Sequence, residues 1–198
     1  MKTSMHRTLI AATALVALTA FSATAQDAHV APVTDYIETN VKPWLSDPVL
    51  VDAVKAQNAQ NAGLAQADID ALDKKWRAET EGSSKEMIDG VLGNALSQFL
   101  KAKQQEAGGL ITEVFVMDNK GLNVGQSDVT SDYWQGDEDK WRKTFLAGPN
   151  SMHIGDAERD KSTRVLQRQL SLPVADPVSG KVIGAITVGI DVSRLSAQ

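Results

Sequence analysis

The segment Lys181-Val182-Ile183-Gly184-Ala185-Ile186-Thr187-Val188-Gly189-Ile190-Asp191-Val192 decides the fold. It is rich in β-branched residues, and a strand sends successive side chains to opposite faces. One face then carries Val182, Ile186, Val188, Ile190 and Val192. The other carries Ile183, Ala185, Thr187, Gly189 and Asp191. The bulky face is expected to pack on helices, and the small face leaves room for a cavity. Immediately upstream, Thr163–Val174 alternates in the same way. Leu166, Leu170, Leu172 and Val174 share one face, interrupted by Arg168, and Val165, Gln167, Gln169 and Ser171 share the other. Asp176-Pro177-Val178-Ser179-Gly180 is the turn between the two strands. A sheet with one apolar face and one small, polar face is either solvated on that side or forms the floor of a polar pocket. Alternation alone does not choose.

Working outward from this hairpin, Thr112–Asp118 reads as a strand, Asn119-Lys120-Gly121 as a turn and Leu122–Gln126 as the returning strand. Met152-His153-Ile154 reads as a short strand and Asp156–Asp160 as a charged loop. Five antiparallel strands result, preceded by helices, which is an α+β arrangement. Between the second and third strands lies an insert, Ser131-Asp132-Tyr133-Trp134-Gln135-Gly136-Asp137-Glu138-Asp139-Lys140-Trp141. It holds two of the four tryptophans and one of the two tyrosines. Its Asp137–Phe145 portion is expected to form a short helix, broken by Gly148-Pro149-Asn150.

The first half of the chain is helical in pattern. Val33, Tyr36, Ile37 and Val41 recur at helical spacing up to Pro43. Asp47-Pro48 restarts a helix, with Asp as N-cap and Pro in the first turn. Gly63 stops it. A third helix spans Gln66–Thr80 with Ile69, Leu72 and Trp76 on one face. Its acids lie early and its bases late, as the helix dipole favours. Ser83 and Glu86 have capping-box spacing, and one long helix is expected over 84–106.

Lys2, His6 and Arg7, the apolar run Leu9–Phe21 and Ala23-Thr24-Ala25 together read as a signal peptide over residues 1–25. The run is shorter than the roughly 20 residues a spanning helix needs, although an uncleaved anchor is the alternative. Cleavage near Ala25 would remove Lys2 and Arg7 and no acid, taking the net charge from −5 to −7. That balance argues against nucleic acid and anionic membrane surfaces as partners. A periplasmic or secreted location follows. There is no cysteine, so the chain has no disulfide, thiol chemistry or Cys-ligated metal. It must be held by its core.

The order of these segments resembles a Cache domain, also called a PDC sensor domain, an extracytoplasmic relative of the PAS fold. The resemblance rests on the long helix, the Met117-Asp118-Asn119-Lys120-Gly121 hairpin and the insert Asp132–Glu138. It also uses Asp160-Lys161-Ser162-Thr163, the strand end Leu172-Pro173-Val174 and the closing Gly180–Val192 segment. It implies a five-stranded antiparallel PAS-like sheet with a long N-terminal helix, as a single domain over 83–198. Residues 26–82 would be a helical N-terminal extension. It also implies a small-molecule pocket between the sheet and the insert. In amine- and amino-acid-binding members, aromatics of the insert close that pocket and an Asp after it holds an ammonium. The matching positions are Tyr133, Trp134, Trp141 and Asp160.

An Arg that usually precedes the Trp in amino-acid binders is missing, since Gly136–Lys140 stands there. A cationic or neutral ligand is therefore favoured. An aromatic face with a carboxylate suits an ammonium, although aromatics also pack cores. The acids Asp137, Glu138 and Asp139 read as the first turn of a helix rather than as ligands. No nucleophile elbow, zinc-protease motif, phosphate loop or calcium loop is present, so no enzyme activity, metal or cofactor is expected. The expected function is an extracytoplasmic sensor module that passes ligand state to a partner such as a membrane receptor. Homodimerisation through the long helix is open. The alternative is a structural or inhibitory interaction protein using the same fold without a ligand.

Overall fold

The computed structural model describes residues 29–159 and 165–195, so the expected signal peptide lies outside the described residues. The described residues begin with helix α1 (Val30–Asn40), a short 3-10 turn over Lys42–Ser46, α2 (Pro48–Gln60) and α3 (Gln66–Glu81). Pro43 lies in the first turn of the 3-10 segment. The Asp47 side chain caps α2 by accepting from the Val49 amide at 2.9 Å, with Pro48 in the first turn, as its sequence predicts.

The single helix expected over 84–106 is two helices, α4 (Glu86–Leu92) and α5 (Ala95–Glu106). Asn94 breaks it, taking an extended backbone and accepting from the Ser97 amide at 2.8 Å to cap α5. The capping box expected from Ser83 and Glu86 does not form. Glu79, on α3, instead accepts from the Met87 and Ile88 amides at 2.8 and 3.1 Å. A carboxylate from a neighbouring helix thus satisfies the first-turn donors of α4.

The strands are β1 (Ile111–Met117), β2 (Asn123–Gln126), β3 (His153–Arg159), β4 (Leu166–Ala175) and β5 (Val182–Asp191). A one-turn helix, α6 (Asp139–Arg142), lies in the insert, and α7 (Val192–Leu195) follows β5. All neighbouring strands are antiparallel, in the order β2-β1-β5-β4-β3. This is the α+β, PAS-like sheet expected. β3 is longer than predicted. The charged stretch through Arg159 pairs with β4 along the sheet edge, and an edge strand can send charged side chains to water.

The alternation read from β4 and β5 is realised in the packing. Ile186, Val188, Ile190, Leu170, Leu172 and Val174 join Val114 and Val116 in one core. The cover is Val33 and Ile37 of α1, Leu50 and Val54 of α2, and Leu96 and Leu100 of α5. A second, smaller core gathers Ile69, Trp76, Ile88, Leu122 and Tyr133. The turn between β1 and β2 is fixed by Asp118. Its carboxylate accepts from the Lys120 and Leu122 amides at 2.8 and 2.9 Å, and from Gln57 and Asn61 of α2 at 3.1 and 2.9 Å. Gly121 takes φ +83 there, and a side chain at that position would run into Gly136. Among the described residues no helix is long and apolar enough to cross a membrane.

Candidate functional site

On the face of the sheet away from the helices lies a partly open cavity of about 710 Å³. Its floor comes from the strand alternation. β1 has a register shift between Ile111 and Glu113, which are paired with Ile190 and Gly189. Across Gly189, Thr112 donates from its hydroxyl to the Gln167 side-chain Oε1. Gln167 and Gln169, two apart on β4, donate from their amides to the same Glu113 oxygen at 2.9 and 2.8 Å. β5 lies between β1 and β4, so these side chains reach each other over its backbone. A Cβ at Gly189 would press on Thr112, Gln167 and Glu113 together. The small face of β5 is what lets the floor close.

The wall opposite is the insert. Three donors converge on one carbonyl, that of Asp132: the Thr130 hydroxyl at 2.7 Å, the Gln135 amide at 3.0 Å and the Asn123 amide at 3.1 Å. Helix α3 clamps the same segment from behind. Asp73 accepts from the Tyr133 and Trp134 amides at 2.9 and 3.0 Å. Arg77 bridges Asp73 at 2.7 Å and Asp132 at 2.6 Å. The Gln135 backbone N–H donates to the Gly121 carbonyl and the Asn123 backbone N–H to that of Tyr133, so the insert also covers the outer edge of β2.

The aromatic residues singled out from the sequence are placed inside this framework. Tyr133 stacks on Trp76 with ring centres 5.4 Å apart. Its hydroxyl pKa is pushed up to about 12 by burial and by the negative charge of Asp118. Trp134 and Trp141 donate their indole N–H groups to the backbone carbonyls of Lys120 and Asp118, at 2.8 and 3.0 Å. Trp141 also stacks on Phe145, against Phe115 and Met117. None of the three is among the cavity's lining residues. Asp160, the fourth, lies outside the described residues. The aromatic that does line the cavity is Phe115.

Among the described residues five carboxylates line the cavity, Glu113, Asp128, Asp132, Glu138 and Glu158, against Lys140 and Arg159. Asp128 pairs with Lys101 at 2.6 Å, Asp132 with Arg77, and Glu138 with Lys140 at 2.8 Å. Glu113 has no ion-pair partner among the described residues and is held only by neutral amides. The alternation of Gln167 and Gln169 with leucines was the sequence signal for this floor. Glu113 carried no signal, because its place depends on β1 lying beside β5 and on the bulge. A smaller recess of about 190 Å³ adjoins the cavity and shares Glu138, Lys140, Glu158 and Gln169 with it. It also holds His153, whose pKa is lowered, chiefly by burial and then by Lys143.

Its structural neighbours are sensor domains. The Vibrio cholerae histidine kinase DctB sensor domain aligns over 90% of this chain and 57% of its own, with 15% identity and a TM-score of 0.48. The sensory domain of the Campylobacter jejuni chemoreceptor Tlp3, with isoleucine bound, aligns over 90% and 64%, with 16% identity and a TM-score of 0.42. The Escherichia coli DcuS sensor domain aligns over 65% and 94%, with 16% identity and a TM-score of 0.38. The chain thus spans about three-fifths of the length of the first two. No protein-family model and no curated protein matches the chain. The fold assignment rests on the order of the strands themselves.

Proposed function

We propose that the protein is an extracytoplasmic sensor module that binds a small ligand carrying a cationic or neutral hydrogen-bond-donating group and passes its ligand state to a partner, such as a membrane receptor. The observation that carries this reading is Glu113. A carboxylate on a cavity floor, oriented by two glutamine amides and without a cation of its own among the described residues, is a prepared acceptor for an ammonium. The excess of carboxylates around it adds a field of the right sign.

In this reading Tyr133, Trp134 and Trp141 contribute by holding the insert over the cavity. Asp160 follows Arg159, a lining residue, and is proposed as a second acid for the ligand. The helical part before residue 83 is proposed as an extension that folds together with the sensor body, since α1 and α2 supply core residues to the sheet.

The test is a thermal-shift screen of residues 26–198 against amines, amino acids, carboxylates and purines. A ligand at a hundred times its Kd adds roughly 2.7 kcal/mol of stability. Amines are expected to shift the wild type, and Glu113→Gln is expected to abolish the shift while the unliganded variant melts as before. A shift only by carboxylates, or one that survives in Glu113→Gln, defeats the assignment. No shift with any class would leave the ligand-free interaction protein as the better reading.

A further inference from the structure

The cavity already contains a cation of its own, Lys140. Its ammonium is 2.8 Å from the Glu138 carboxylate and 5.5 Å from the centre of the Phe115 ring. Its side chain is 17% exposed, the lowest of the ion-paired lysines described, whereas Lys143, three residues along, is 56% exposed and pairs with Asp139 on the outside. Lys140 and Glu138 are two residues apart, a spacing that does not face across a helix. They meet because Glu138 precedes α6 in extended backbone, with ψ 152. Both residues line the main cavity and the adjoining recess.

We propose that Phe115 and Glu138 form a cation cage, that Lys140 fills it as a tethered occupant, and that an alkylammonium ligand enters by displacing Lys140. This deepens the reading above and rests on it for the ligand's charge. The chemistry is direct. An aromatic face and a carboxylate together hold an ammonium, and the lysine head group is itself an alkylammonium. The ligand and Lys140 therefore compete for the same two partners. The tether gives Lys140 a high local concentration, so wild-type affinity is lowered by the share of molecules in which the cage is filled. Lys140 adjoins Trp141, whose indole is bonded to the Asp118 carbonyl. Displacement thus starts at the insert helix, next to the β1–β2 turn.

The experiment titrates n-butylammonium chloride into wild type, Lys140→Met, Glu138→Gln and Glu113→Gln by calorimetry. Lys140→Met keeps the apolar stem and removes the charge, and it is expected to tighten binding about tenfold. Glu138→Gln is expected to weaken it. Unchanged or weaker binding by Lys140→Met, or no binding by any variant, overturns the proposal.

Glu113→Gln separates the two ideas. If it binds as wild type does while Lys140→Met binds more tightly, the Glu113 reading falls and the cage stands. A second readout needs no affinity change. The Lys140 ε-methylene resonance should lie upfield of its position in Phe115→Leu, because of the Phe115 ring, and should lose that shift on saturation with n-butylammonium. A resonance that does not move on saturation also overturns the proposal.

Discussion

On β4, Leu170, Leu172 and Val174 face the helices, while Gln167 and Gln169 face the cavity and Ser171 the adjoining recess. The same ten residues build a dry core on one side and a hydrogen-bonded floor on the other. On the dry side each large aliphatic residue contributes about 1.5–3 kcal/mol through burial, and exact partners matter little beyond volume. On the wet side Ser171 and Thr187 share a hydrogen bond of 2.9 Å and Gln167 is bonded to both Thr112 and Glu113. There, geometry matters more than area, because each polar group must keep its partner. The contrast separates residues that hold the fold from residues that shape the site.

Substitutions on each face test that separation. Ile190→Ala, on the dry side, is expected to cost about 2–5 kcal/mol in denaturant unfolding. A cost below about 1 kcal/mol would show that the helix face is not the stabilising one. Asp73→Ala removes the acceptor of two insert amides and a partner of Arg77, and is expected to cost about 1–3 kcal/mol. Hydrogen exchange should then quicken at residues 130–136 while the β4 and β5 amides stay protected. Uniform loss of protection would mean that the insert is not a separate unit. Glu113→Gln should change stability by less than about 0.5 kcal/mol, as expected of a surface-like change, yet remove amine binding.

The smallest effect concerns pH. His153 has a lowered pKa in the folded state, so the unfolded chain binds its proton first as pH falls. Stability from this group is complete above the unfolded value of about 6.5 and declines as pH drops through it. His153→Gln is expected to flatten the stability profile slightly between about pH 7 and 5. An unchanged slope would show that His153 does not contribute to it.

How much of this was legible in the sequence follows the same division. The dry face was legible, because apolar alternation reports burial directly. So were the Asp47 cap and the Gly121 turn, which depend on residues close in sequence. The break at Asn94 was hidden because the apolar stripe runs through it: Ile88 and Val91 go to one core, and Leu96 and Leu100 to another. Glu79 as a cap, Asp73 as a clamp and Glu113 as the floor all act on partners far along the chain, and spacing cannot reveal such pairs. The charged half of the edge strand β3 has the pattern of a loop because its charges have water on one side. For the insert, composition showed that aromatics would be concentrated there. It could not show that their N–H groups would bond to backbone carbonyls of the β1–β2 turn.

The interruption at Asn94 also has a mechanical side. Asn94 donates to the Val124 carbonyl at 2.8 Å, and the Ser97 hydroxyl accepts from the Gln126 amide at 2.9 Å while donating to Val91. The joint is therefore fastened to β2, at the sheet margin beside the insert. An unbroken rod would have to serve both cores with a single straight apolar stripe. With the joint pinned there, α5 turns Leu96 and Leu100 into the sheet core, while α4 turns Ile88 into the second core with Trp76 and Tyr133. The sheet core and the core behind the insert are thus joined through one hydrogen-bonded junction on the sheet edge.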